Sequence, residues 1–150
     1  LELDAIIPPA EHRQSLSIAT TQDLLIPRER WIQTISLADF YFACPGVEMP
    51  LCHNLIESLA AGSIPILQYP QYLTPALEDG VNCLVFHDEA SLKAKLDQAL
   101  SMSVAAVAQL KSAAHYYYKC YQQPGSFAQQ IIDSGAEAPA IYLNAYRVPR

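Results

Sequence analysis

Cys44 to Leu67 reads CPGVEMPLCHNLIESLAAGSIPIL, and this stretch decides the fold. It holds the end of an apolar run, a loop broken by Pro45, Gly46 and Pro50, a helix from Cys52 to Ala61 and a second apolar run, Ile64 to Leu67. On a wheel of about 3.6 residues per turn, Leu55, Ile56, Leu59 and Ala60 share one arc. His53, Asn54, Glu57 and Ser58 share the other. The apolar arc packs on a sheet, and the polar arc faces solvent or a cleft. Gly62 suits the left-handed stop of this helix. Pro65 donates no ladder hydrogen bond, which leaves the start of the second strand open.

Working outward, Phe40 to Cys44 reads FYFAC, a strand-prone run without alternation, as expected of a strand buried on both faces of a parallel sheet. Before it, Pro27 opens a helix over Arg28 to Leu37, with Trp31 and Ile35 on one face. Leu16 to Ala19 is a short alternation that fits a strand. Leu1 to Gln14 is mixed and is interrupted by Pro8 and Pro9. Downstream, Gln68 to Leu77 is a loop with a short helix after Thr74, capped by that threonine with Pro75 at the first position. Glu78-Asp79-Gly80 is a turn, Cys83 to Phe86 a buried strand, and Asp88 the N-cap of a helix over Glu89 to Leu100. A second long helix runs from Val104 to Tyr121, marked by Val107, Leu110, Ala114 and Tyr117 or Tyr118. Pro124-Gly125 breaks it, and Ser126 caps a short helix to Asp133. Ser134 to Pro139 is a loop, and Ile141 to Tyr146 a strand or an extended tail. Strands alternating with helices make the chain a single α/β domain with a mainly parallel sheet, its core at 16–121 and a C-terminal helix and tail at 122–150.

Composition removes several classes. The 150 residues are 51% hydrophobic and 16% charged, which favours a folded core over disorder. A net charge of -6 argues against a nucleic-acid partner. No apolar run reaches the roughly 18 to 20 residues of a membrane helix, and no signal peptide is legible. The chain begins at Leu1 rather than Met, so a fragment of a longer protein is expected. Cys44, Cys52, Cys83 and Cys120 form no C-x-x-C pair. Reduced thiols in a cytoplasmic setting follow, with Cys44 and Cys83 as small buried hydrophobes. A Cys44–Cys52 pair stays open.

In parallel sheets, ligands collect at the carboxyl ends of the strands. The loops 45–51 and 68–74 belong on that edge. The N-terminus of the Cys52 helix offers free N–H groups to a phosphate near Leu51 to His53. His53 adds a donor there, and Glu57, one turn further in, can accept two hydrogen bonds from the vicinal hydroxyls of a ribose. The alternative for this polar arc is plain solvation, with His53 and Glu57 a surface pair worth little. Tyr69 and Tyr72 follow a strand and touch substrate or belong to an ordinary loop. Tyr116, Tyr117, Tyr118 and Tyr121 are read as packing against the body or lining a domain seam, over stacking on a base. The sequence carries no clustered metal ligands, nucleophile elbow or phosphate-binding P-loop.

FYFACPGVEMPLCHNLIESLAAGSIPIL, followed by PALEDGVNCLVF and a helix, resembles the C-terminal donor-binding half of GT-B glycosyltransferases, nearest to the group 1 and exostosin-like families. Their E-A-x-A-x-G-x-x-P-V pattern corresponds to Glu57-Ser58-Leu59-Ala60-Ala61-Gly62-Ser63-Ile64-Pro65-Ile66, and their D-G-x-N-x-L to Asp79-Gly80-Val81-Asn82-Cys83-Leu84. The likeness spans 37–100. It implies a Rossmann-like three-layer domain in which Glu57 binds the nucleotide ribose. An earlier glutamate of the group 1 loop falls at Met49, beside Glu48, which takes that place if the loop shifts by one residue. Gly46 and Asn54 complete the expected donor contacts, with His53 at the diphosphate.

The resemblance implies transfer of a sugar from a nucleotide-diphosphate donor to an acceptor hydroxyl. No metal or other cofactor is implied, and an N-terminal domain of the same protein would supply the acceptor site and the base. The catalytic residue is therefore not assigned. The alternative is a non-catalytic nucleotide-binding or interaction domain on the same scaffold, because the glycine-rich loop of the group 1 enzymes is missing.

Overall fold

The computed structural model describes residues 15–18, 25–46 and 51–135, apart from the side chain of Phe127. Within them, three parallel strands lie in the order β1-β2-β3: β1 is Phe40–Phe42, β2 is Ile64–Leu67 and β3 is Leu84–Val85. A 3-10 turn at Arg28–Arg30 leads into α1, Trp31–Ser36. α2, His53–Ala61, follows β1; α3 is Glu89–Ser101, α4 is Val104–Tyr117 and α5 is Pro124–Asp133. The chain is thus α/β around a parallel sheet, as the alternation of elements requires.

Strand alternation sorts the apolar residues into two cores. Ile64, Ile66, Leu84 and Phe86 face one side, against Leu92 and Leu96 of α3 and Leu110 of α4. Leu67, Cys83 and Val85 face the other, against Leu55 and Leu59 of α2 and Ala114 and Tyr117 of α4. Helices cover both faces, so β2 is buried at every position and reads as an unbroken apolar run. Pro65 costs no rung. Ile64 donates its N–H to Asp39 O on the β1 side, so the next residue turns its backbone toward β3, which begins only at Leu84, opposite Ile66. The missing N–H falls before that ladder starts.

Several expectations need correction. β1 is shorter than FYFAC and is not buried on both faces: Phe42 is 40% exposed. Ala43 N–H still reaches Ile66 O, but Cys44 N–H turns back to Phe42 O, and Cys44 is exposed rather than buried. Among the described residues β1 pairs only with β2, which explains its partial exposure. Pro27 lies just before the 3-10 turn and accepts from Arg30 N–H instead of opening the helix. Cys52 is the N-cap of α2, not its first residue. Ser58 belongs to the buried face, its hydroxyl donating to Leu55 O at 2.8 Å.

No helix follows Thr74. The helical turn of this loop is at Pro70–Tyr72, with proline at its first position. The Thr74–Pro75 bond is cis, and Tyr117 donates its hydroxyl to Pro75 O at 2.5 Å. Asp88 caps α3 as expected, with Ser91 completing a reciprocal box. α4 passes into a π turn at Tyr118–Gln122 instead of continuing to Tyr121. Pro124 then opens α5 rather than only breaking α4, and Ser126 lies inside α5, donating to Lys119 O, instead of capping it. Leu16, Ser17 and Ile18 form no strand and are exposed. The readings at 1–14 and 141–146, and most of 134–139, fall outside the described residues, as does Ala19. Among the described residues no helix is long and apolar enough to cross a membrane.

Candidate functional site

α2 carries the site because Leu55 and Leu59 anchor one side of it in the core and leave the other facing α1 and the sheet edge. Gly62, at φ 74, ends the helix in the left-handed region and returns the chain through Ser63 to β2. Ser63 fixes that return by donating its hydroxyl to Ala38 O at 3.0 Å.

Glu57 lies on the face toward α1. Its Oε2 accepts the indole N–H of Trp31 at 2.6 Å and stands 4.0 Å from His53 Nε2. The glutamate side chain keeps 31% of its surface exposed and the imidazole 79%. Trp31 meets Tyr41 edge-on, ring centroids 6.4 Å apart. Tyr41 is half-buried. Burial raises the pKa of its hydroxyl, the nearby Cys44 and Glu57 raise it further, and a hydrogen bond from Asn54 opposes them. The phenol therefore stays neutral at physiological pH.

A shallow cleft opens where the carboxyl ends of β1 and β2 meet the N-terminus of α2. Cys44, Pro45, Leu51, Cys52, Asn54 and Tyr69 line it. Asn54 Nδ2 donates to Cys44 O at 3.4 Å, tying the end of β1 to the first turn of α2. Its Oδ1 is buried and has no partner among the described residues. Cys52 caps α2 without a side-chain hydrogen bond to the helix. Its sulfur sits 3.5 Å from His53 Nδ1.

The structure therefore brings some expected residues together and separates others. His53 and Glu57 are neighbours on α2, the first exposed and the second half-buried, and Asn54 is half-buried beside them. Asn54 and Tyr69 line the cleft; His53, Glu57, Gly46 and Tyr72 do not. A single cleft holding Glu57 beside the helix tip is thus a correction: the carboxylate occupies the seam between α1 and α2, because Trp31 draws it there. Tyr41 packs edge-on against Trp31 on the seam side, and the nearby Cys44 and Glu57 both raise the pKa of its hydroxyl. Tyr72 is exposed and packs edge-on against Tyr69 at 6.1 Å. Glu48 lies outside the described residues. Cys44 and Cys52 are free thiols, so the pairing left open by the sequence is not made.

Trp31 and Tyr41 escaped sequence reasoning as site residues. Trp31 was assigned to helix packing and Tyr41 to a buried strand, and neither motif spacing nor periodicity signals a contact spanning 26 residues. Lys93, Lys95 and Lys111 are paired with Asp97, Asp79 and Asp39, and His53 is the basic group within 4.0 Å of the Glu57 carboxylate among the described residues. Among the described residues no group of three or more His, Cys, Asp or Glu is arranged to hold a metal ion. No family model matches the chain, and no curated protein or solved structure matches it.

Proposed function

We propose that the chain is the donor-binding domain of a GT-B-type glycosyltransferase, taking a nucleotide-diphosphate sugar for transfer to an acceptor hydroxyl. The observation that carries this reading is the Glu57 carboxylate. Trp31 fixes one oxygen at 2.6 Å, and Oε1 has no partner among the described residues. A carboxylate so oriented accepts from the vicinal hydroxyls of a ribose without first paying to order itself.

The rest of the face supports a phosphorylated ligand. The Cys52 side chain accepts no hydrogen bond from the first N–H groups of α2, and apart from Leu55 N–H, which donates to Cys52 O, these are donors for a diphosphate in this reading. In this reading the helix dipole and His53 stabilise the leaving diphosphate. Tyr69 and Asn54 contact the ligand from the cleft. Gly46, Glu48 and Tyr72 remain proposed contacts from the resemblance and from loop position. An N-terminal domain would bring the acceptor and the base.

A second reading is a nucleotide-binding or interaction domain without transferase activity. It is favoured by the separation of Glu57 from the cleft and by the pairing of three lysines away from it. Calorimetric titration of the protein with UDP, GDP and ADP, and then with their sugar conjugates, checks the first reading. One diphosphate should bind with saturation, and Glu57→Ala should weaken it at least about tenfold, as lost hydrogen bonds to a charged group imply. Absence of binding to every nucleotide would sink both nucleotide readings. Binding without sugar transfer even with the proposed acceptor domain present would leave the second.

A further inference from the structure

We infer that Cys52 is a reactive thiol served by His53 and Glu57, and that Cys44 resolves its oxidised form as a disulfide across the cleft. Cys52 Sγ lies 3.5 Å from His53 Nδ1, and the other ring nitrogen lies 4.0 Å from Glu57 Oε2, which Trp31 holds in turn at 2.6 Å. Thiol, imidazole, carboxylate and orienting donor follow in series, with the imidazole and carboxylate in ion-pair range, an arrangement in which a base serves a nucleophile and a third group orients the base. The sulfur also sits at the N-cap of α2, where the helix dipole favours negative charge.

Cys44 is the natural resolving partner. It is exposed, it lines the same cleft as Cys52, and the Asn54 side chain ties its carbonyl to the first turn of α2. The other two thiols are placed differently: Cys83 is fully buried under the sheet, and Cys120 is half-buried in the π turn.

The co-reactant is a hydroperoxide. His53 Nδ1 takes the proton from Cys52, and the sulfur attacks the outer peroxide oxygen. An S–O bond forms, the O–O bond breaks, and the departing alkoxide or hydroxide takes the proton from His53. Cys52 is now a sulfenic acid and one alcohol or water has left. Cys44 sulfur attacks Cys52 sulfur, the S–S bond forms, the S–O bond breaks, and water leaves with the Cys44 proton. Two thiols have lost two electrons and the hydroperoxide has gained them. The inference goes beyond nucleotide binding, and its chemistry stands or falls without any ligand.

The experiment is oxidation of the protein with one equivalent of hydrogen peroxide, followed by intact mass and peptide mapping. The expected product has lost two hydrogen atoms and carries a Cys44–Cys52 link, with Cys83 and Cys120 still reduced. Cys44→Ser should stop the reaction at a Cys52 sulfenic acid that dimedone captures. His53→Ala should slow Cys52 oxidation at least about fivefold, since the base is gone, and circular dichroism confirms that this exposed substitution leaves the fold intact. Cys120 reacting ahead of Cys52, a rate unchanged by His53→Ala, or a link other than Cys44–Cys52 would each overturn the inference. Nucleotide titration of the same preparation is read separately, so a missing ligand and a missing disulfide are not confused.

Discussion

Trp31 Nε1 donates to Glu57 Oε2 at 2.6 Å, and this bond joins α1 to α2 across 26 residues of chain. It also turns the carboxylate toward the α1 seam and away from the cleft at the helix tip. Trp31→Phe keeps an aromatic ring against Tyr41 but removes the donor. Glu57 is partly solvated, so water replaces the lost partner in part, and the expected destabilisation is about 1 kcal/mol. Urea unfolding followed by circular dichroism measures it. Under the proposed function, nucleotide affinity should fall with it, because Glu57 loses its orientation. Affinity that stays unchanged would separate Glu57 orientation from binding.

Trp31 is the one tryptophan of the sequence, which makes its fluorescence a report on the same seam. Glu57→Ala removes the acceptor of the indole N–H. The expected outcome is a shift of the emission maximum relative to the parent protein. A saturating nucleotide should shift it as well if the ligand binds at Glu57. An emission spectrum indifferent to both would contradict the described seam.

Ser58 and Leu59 adjoin in sequence and both are fully buried, yet their truncations should differ. Leu59→Ala empties a site between α2 and the sheet, and about 2–5 kcal/mol of destabilisation is expected. Ser58→Ala deletes a hydroxyl whose partner is Leu55 O of the same helix, at 2.8 Å. No buried donor is left unpaired, and a change within about 1 kcal/mol is expected. Denaturant midpoints of the two variants decide this. Equal losses would mean that the hydroxyl carries more than a bond within its own helix.

These residues also show how far the sequence could be read. The periodicity of α2, the Gly62 stop, the Asp88 cap and the apolar runs of β2 and β3 were legible, because each is a local pattern with a local cause. Ser58 was not, since a small polar residue that bonds its own helix backbone can sit on either arc. β1 was read as buried because FYFAC is apolar, whereas burial depends on what lies beyond the strand. The turn at Pro70 and the opening of α5 at Pro124 were missed because proline starts and stops helices with the same residue. That His53 and Glu57 are surface neighbours was legible from their spacing on one helix, and their side chains stand 4.0 Å apart. The contacts of Trp31 and Tyr41 were not legible, because their approach is tertiary.

Gly62 occupies φ 74 at the end of α2, where a side chain is strained whatever space surrounds it. A Cβ there would stand 4.0 Å from His115 Nδ1, an ordinary contact, so backbone strain alone sets the cost. Gly62→Ala should destabilise by about 1 kcal/mol. Gly62→Asn, which tolerates the left-handed region better, should cost less. Thermal unfolding of the pair would contradict this assignment if alanine were the milder change.

Cys83 gives the alkaline limb of stability a definite sign. Its thiol is fully buried, and burial pushes its pKa from 9.0 up to about 12, with the nearby Asp79 adding to the effect. Between those values the unfolded chain has released the thiol proton and the folded chain has kept it. The native state then binds more protons, so stability falls as pH rises from about 9 toward 12, by at most about 1.4 kcal/mol per pH unit for this group. Tyr41 and Tyr117 have hydroxyls raised above 10.0, chiefly by burial, and add the same sign at higher pH. Both tyrosines begin to titrate in the unfolded chain as pH nears 10, so it is the comparison with Cys83→Ala, which leaves them unchanged, that isolates the thiol. Urea midpoints measured from about pH 9 to 10 should decline in the parent protein and decline less in Cys83→Ala, whatever the absolute cost of the substitution. Identical slopes would mean that Cys83 reaches solvent and loses its proton in the folded state.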